Sequence, residues 1–298
     1  MVNPAAFQRS LLVYGRWLNA QNSNSAKRWS KQVDAGQEGA IAEAVVFSWL
    51  VDRVDQIAHG DPPGVSAPDF VCTVGDQRFY LEVTNISESS VENRTGLKDE
   101  KKGFGFYRPL TGAITSAVGD KAGQFKSFDF DAPFVVFVST LQFSASCACV
   151  ERSHLEDLLT GSQHIAWDFD SSTGEAVGEP RAATKLRDSV FVRFPKIVGA
   201  GIQAARRHVS AVVVGGFGVA PPSPPVYGVL HPEPLFQFNS AVLPEVPFGT
   251  LYPWPSKGHF AVRWSDALSL LCENLPPEQR IVLPSEISFD DLRRENLR

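Results

Sequence analysis

Apolar and polar positions divide the chain into short stretches of helical and strand character. Over residues 4–20, Phe7, Leu11, Leu12 and Trp17 recur at mostly helical spacing and predict a first helix. The polar stretch after it, QNSNSAKRWSKQ, reads as a connection with a mild positive charge. Residues 37–58 carry the strongest helical pattern, which Asp61-Pro62-Pro63-Gly64 breaks. Two short strands are expected at 70–74 (FVCTV) and 78–85 (RFYLEVTN), joined by Gly75-Asp76. Residues 86–109 are polar and charged and read as a mobile loop. A helix at 110–126 then precedes a buried strand at 134–140, FVVFVST.

The pattern is weaker in the second half. Residues 153–160 predict a helix, 161–184 a Gly-, Ser- and Thr-rich loop, and 199–207 a short helix ending in Arg206-Arg207-His208. Strands at 209–214 (VSAVVV) and 226–230 (VYGVL) flank PPSPP, a stiff extended linker. Helices are expected at 265–275 and from Ser288-Phe289-Asp290-Asp291 onward. No internal repeat is found.

Composition narrows the class. Of 298 residues, 43% are apolar and 20% charged, which fits a folded globular chain rather than disorder, collagen or coiled coil. No apolar run reaches the ~18 residues of a membrane span. The N-terminus, MVNPAAFQRS, lacks a basic region followed by an apolar one, so no secretory signal is expected. Four cysteines are too few for a disulfide scaffold and point to a reducing, cytoplasmic setting. The net charge of −5 excludes a globally basic nucleic-acid coat but leaves room for a local basic groove.

The strand pair supplies the sharpest chemistry. With Gly75-Asp76 as a two-residue hairpin turn, Val74 pairs with Gln77, and Asp69 falls opposite Glu82. Opposed side chains have Cβ atoms about 4.5–5.5 Å apart, where like charges repel. A hard divalent cation such as Mg²⁺ between them would relieve that repulsion. Thr84, two residues beyond Glu82, projects from the same face. A one-residue shift in register would remove the pairing and leave both acids at exposed strand edges.

Two further residues sit against the grain of their helices. On 110–126, Leu110, Ile114, Ala117, Val118 and Phe125 form one stripe, and Lys121 falls in the middle of it with Gln124 at its edge. A lysine there must pair, snorkel or do chemistry. On 37–58, Glu43 heads the face of Val46, Phe47, Leu50, Val54 and Ile57. Glu38 shares the other face, which turns polar at Asp52 and Gln56, so Glu43 is the preferred inward acid.

In this order, helix with Glu43, Pro68-Asp69, Glu82-Val83-Thr84, helix with Lys121, then FVVFVST, the chain resembles the PD-(D/E)xK superfamily of restriction-endonuclease-like nucleases. The resemblance covers about a third of the chain, roughly residues 37–140. It implies an α/β fold whose core is a mixed central sheet flanked by helices. Residues 1–30 would form an N-terminal helix and linker, 31–140 the nuclease-like core, and 141–298 a C-terminal α/β extension that completes the sheet or forms a recognition lobe. It also implies Mg²⁺ or Mn²⁺ held by Asp69 and Glu82 with help from Glu43, and phosphodiester hydrolysis of DNA in preference to RNA. Homodimerisation is common among such nucleases.

The chain departs from the pattern in two ways. Thr84 stands where the motif has lysine, and Lys121 resembles the migrated lysine of some branches, with Thr84 and Gln124 in supporting roles. The short 59–68 segment leaves little room for the usual first strand. A chain without the lysine could instead be a non-catalytic module that keeps the fold and binds nucleic acid or a partner. Substrate grip would come from Lys98, Lys101, Lys102 and Arg108 in the loop after Glu82, and from Arg206 and Arg207.

Other motifs carry less. Gly215-Gly216-Phe217-Gly218 follows a strand, but Pro221-Pro222 stands where a dinucleotide-binding loop needs a helix. Cys147, Cys149 and His154 lack zinc spacing, and His231 and His259 read as loop or packing residues.

Overall fold

The computed structural model describes residues 7–60, 67–95, 108–142, 145–146, 150–170, 172–185, 189–193, 202–218, 224–254 and 261–265. The chain opens with helices α1 (Gln8–Gln21), α2 (Ser23–Asp34) and α3 (Glu38–Val51). Strands β1 (Gln56–His59), β2 (Phe70–Val74) and β3 (Gln77–Ile86) follow, then α4 (Glu88–Thr95), α5 (Arg108–Gln124) and β4 (Phe134–Thr140). Next come α6 (Arg152–Thr160), the paired strands β5 (Ser162–Phe169) and β6 (Ala176–Lys185), and the short pair β7 (Val192–Arg193) and β8 (Gln203–Ala204). Strands β9 (Ala211–Gly216), β10 (Val226–Leu230), β11 (Phe248–Tyr252) and β12 (Ala261–Trp264) end the described chain.

Eight strands form one mixed sheet in the order β1-β2-β3-β4-β9-β10-β11-β12, flanked by helices, so the protein is α/β. The centre, β3-β4-β9, is parallel, and β1-β2-β3 is an antiparallel meander on its flank. Residues 211–264 therefore supply four strands to the same sheet that begins at residue 56. All of β4 is buried, as a continuous apolar run between two helical layers requires. Alternation along β3 assigns the faces. Phe79, Leu81 and Val83 pack with α1 and α3, while Tyr80 and Ile86 pack with α5. Glu82 and Thr84 therefore project toward α5.

Several expected boundaries move. The connection after the first helix is itself a helix, α2. The Asn22 side chain caps it by accepting from the Asn24 and Ser25 amides at 3.1 and 3.2 Å. Of its three apolar residues, Ala26 and Trp29 are buried and Val33 half-buried, and Trp29 Nε1 donates to Ala40 O at 2.9 Å. The long helix expected to reach residue 58 stops at Val51, and its apparent last turns become β1. Ile57 suits either period, but pairing with β2, which begins with Asp55 N donating to Thr73 O at 2.9 Å, makes it extended, while the Val54 amide still closes the helix end on Leu50 O at 3.0 Å. This also supplies the sheet strand for which 59–68 had left no room.

The loop expected at 86–109 contains α4, anchored by buried Val91. The loop expected at 161–184 is largely the β5–β6 hairpin, with its turn residues confined to 170–175 around Gly174 at φ +70°. The helix expected at 199–207 is excluded at 203–206, where β8 and a positive φ at Arg206 (58°) stand instead. The helices expected beyond residue 265 and most of PPSPP lie outside the described residues. Among the described residues, no helix is long and apolar enough to cross a membrane.

Candidate metal and phosphate site

The β2–β3 hairpin adopts the register read from its turn. Val74 pairs with Gln77 and Phe70 with Leu81, which brings Asp69 opposite Glu82. Gly75 takes the positive φ (58°) of a first turn residue, and its amide donates to Asp55 Oδ2 at 2.7 Å. Where the ladder ends, the two carboxylates take over from backbone carbonyls. Val83 N donates to Asp69 Oδ2 at 2.7 Å, and Asp69 N donates to Glu82 Oε2 at 3.1 Å. The Asp69 backbone is held from the other side by Gly60, whose amide donates to Asp69 O at 3.0 Å. Only glycine fits at position 60, because a Cβ there would lie 1.6 Å from the Pro68 carbonyl oxygen.

Lys121 reaches this pair from α5. Its Nζ donates to Glu82 Oε1 at 2.5 Å and to Gln124 Oε1 at 3.3 Å. The Lys121 side chain is 25% exposed and that of Glu82 4%, so the ion pair lies just beneath the surface. The apolar stripe of α5 is Leu110, Ile114, Val118, Ala122 and Phe125. Ala117, expected within it, is only half-buried, so the stripe opens to solvent beside Lys121.

Glu43 approaches from α3 and accepts a hydrogen bond from the hydroxyl of fully buried Tyr14. As a residue Asp69 is half-buried, but its carboxylate lies below the surface, and the carboxylate sets the desolvation. Burial first, then the charges of Glu82 and Glu43, push the Asp69 carboxyl well above the usual carboxylate range. The Val83 amide and Lys121 act in the opposite direction without offsetting the rise.

The structure thus brings Asp69, Glu82, Glu43, Lys121 and Gln124 together, with Thr84 on the Glu82 face of β3. Glu38 also faces inward, contrary to the expectation. Its carboxylate accepts from Asn85 Nδ2 at 3.2 Å and Glu88 N at 3.0 Å, and Asn85 Oδ1 accepts from buried Ser139 at 3.0 Å. α3 is covered on nearly all sides, by the sheet and by α1 and α2, so facial polarity could not rank its two acids. Tyr14 was missed because nothing local marks a tyrosine on α1 as a partner of Glu43, 29 residues on.

Of the basic candidates, the two whose side chains are described, Arg206 and Arg207, are engaged away from the carboxylates. Lys98, Lys101 and Lys102 lie outside the described residues, and Arg108 is described only as the backbone start of α5. Arg206 donates to Val190 O at 2.6 Å and lies against Gly119 of α5, about 200° around the helix from Lys121. Arg207 donates to Glu233 O at 3.0 Å and pairs with its carboxylate at 3.3 Å. In the glycine-rich segment, the Gly216 amide donates to Pro225 O and the Gly218 amide to Ser146 Oγ, both at 2.9 Å, so neither can cradle a phosphate.

Among the described residues, no three His, Cys, Asp or Glu side chains form a ready-made metal cage. Mg²⁺ does not need one, since it binds through one or two carboxylates with waters and substrate phosphates. Asp69 and Glu82 supply two such carboxylates, and the charges of Glu82 and Glu43 add to burial in raising the proton affinity of Asp69. Comparison with protein-family models, with characterised proteins and with solved structures finds no match to this chain.

Proposed function

We propose that the protein is a divalent-metal-dependent nuclease with a restriction-endonuclease-like core, hydrolysing phosphodiester bonds of DNA in preference to RNA. One observation carries this reading: Asp69 and Glu82 stand opposed at the end of a hairpin, with the Lys121 ammonium against Glu82 and a further acid, Glu43, acting on Asp69. Burial and the charges of Glu82 and Glu43 raise the proton affinity of Asp69, beside a Glu82 paired with Lys121. A Mg²⁺ or Mn²⁺ ion would be held by Asp69 and Glu82, with Glu43 assisting, and would offset the repulsion between these carboxylates. When bound, such an ion neutralises the phosphate and lowers the pKa of an attacking water.

The chain's own residues do the rest. Val83 N and Asp69 N fix the two carboxylates, and Tyr14 orients Glu43. Lys121, beside Glu82 and about a quarter exposed, would put positive charge where the transition state gains negative charge. Gln124 steers the ammonium, and Thr84 offers a hydroxyl to water or phosphate from the same face. The mixed sheet and the order α3, β1, β2, β3, α5, β4 support the same reading.

The test is cleavage of supercoiled plasmid, linear duplex, single-stranded DNA and RNA with Mg²⁺, Mn²⁺ or EDTA. Metal-dependent cutting is expected, abolished by Glu82→Ala and reduced roughly 100-fold or more by Lys121→Ala. Unchanged cutting by Lys121→Ala would sink the role given to the lysine. A second reading, a non-catalytic module that keeps the fold, is favoured by Thr84 at the motif-lysine position; it predicts nucleic-acid binding with neither metal binding nor cutting.

A further inference from the structure

A basic concavity on α2 has no part in the site described above. Asn24, Lys27, Arg28, Lys31 and Gln32 of α2, with Gln37 of the following turn, line an open hollow of about 420 Å³. Three of the six carry positive charge, none is acidic, and the whole chain is net negative at −5. Lys27, Lys31 and Arg28 fall within about 100° of one another around the helix, and all three are exposed. The opposite face of α2 is anchored through Ala26 and Trp29, and the Trp29 bond to Ala40 O ties it to α3. The cations therefore stand on a rigid platform.

The position of this platform suggests its occupant. Gln37 immediately precedes α3, and Glu43 lies six residues further on, about 9 Å along the helix at 1.5 Å per residue. The rim of the hollow and the acid Glu43 are therefore joined through the first turns of one helix. We propose that the α2 hollow grips the phosphate backbone of duplex DNA flanking the scissile position, with Lys27 and Lys31 as the principal contacts. This rests on the nuclease reading for its orientation, but its test does not depend on turnover. Its amide neighbours, Asn24, Gln32 and Gln37, can donate to phosphate oxygens without reading sequence.

The experiment is fluorescence anisotropy of a labelled 20-base-pair duplex in EDTA, across a salt series, with the wild-type chain and Lys27→Gln/Lys31→Gln. Both positions are exposed, and circular dichroism checks that the variant folds. Loss of two phosphate contacts should lower the slope of log K against log salt by about 1.8 and weaken binding roughly 60-fold at 0.1 M salt. An unchanged slope and affinity, with wild-type chain binding DNA, overturns the proposal. So does loss of binding to phosphatidylserine vesicles without loss of DNA binding, which would assign the hollow to a membrane surface. Failure of the nuclease reading looks different: DNA binding that depends on the two lysines, but no metal-dependent cutting.

Discussion

Replacing Lys121 with methionine keeps the packing of the stem and removes the ammonium. Glu82, 4% exposed, then faces Asp69 without the Lys121 ammonium at Oε1. The gross attraction lost is about 6–7 kcal/mol at 2.5 Å and an effective dielectric of 20. Removing one member of a buried pair typically costs about 3–5 kcal/mol net, because the partner stays desolvated. Glu82 has an escape, which is to take up a proton. For an ordinary glutamate this costs about 3.7 kcal/mol at pH 7 and only about 1 kcal/mol at pH 5. The metal-free Lys121→Met chain should therefore lose about 3–4 kcal/mol of unfolding free energy at pH 7 and about 1 kcal/mol at pH 5. Urea denaturation in EDTA at the two pH values measures this, and Glu82→Gln/Lys121→Met should recover most of the loss. A loss below about 1 kcal/mol at pH 7, or one that does not change with pH, would refute the account of Lys121 as the counter-ion of a buried carboxylate. The same variant should gain more stability from added Mn²⁺ than the wild type does, since the ion no longer displaces an ammonium.

Asp69→Asn should raise the stability of the metal-free chain at pH 8 while abolishing cleavage. A carboxyl whose proton affinity is raised on folding contributes stability below its unfolded pKa and loses it as pH climbs through the folded value. A thermal midpoint in EDTA lower than wild type would contradict this. His231, 2% exposed, is bonded at both ring nitrogens, to Ala205 O and Glu233 N, and burial lowers its pKa from 6.5 to about 4. Its contribution is complete above pH 6.5 and is lost as pH falls toward 4, in total about 3 kcal/mol at 1.36 kcal/mol per unit. An NMR titration of the ring with a midpoint above 6 would disprove it. Gly228→Ala places a Cβ 2.2 Å from the Phe248 ring across the β10–β11 pair, and should cost about 1–3 kcal/mol in chemical denaturation without altering cleavage below the new midpoint.

What the sequence determined by itself was local. The Gly75-Asp76 turn sets the hairpin register through two residues, and the opposition of Asp69 and Glu82 follows from counting along the strands. The buried run of β4 and the anomalous position of Lys121 are likewise readable from neighbours within a turn or a strand. Tertiary structure decided what depends on distant surfaces. Ile57 fits helix and strand alike, and the free edge of β2 selected the strand. α3 is enclosed on almost every side, so its two acids carried no facial signal. Glu43 was assigned to Asp69 and Tyr14, and Glu38 to Asn85, by where α1 and β3 dock. α2 holds too few apolar residues to announce itself, and it is held by Trp29 against α3 and by one asparagine cap. Periodicity reports a boundary between one core and water. Where an element is enclosed by two layers or completed by a distant strand, that boundary is absent and the partners settle the structure.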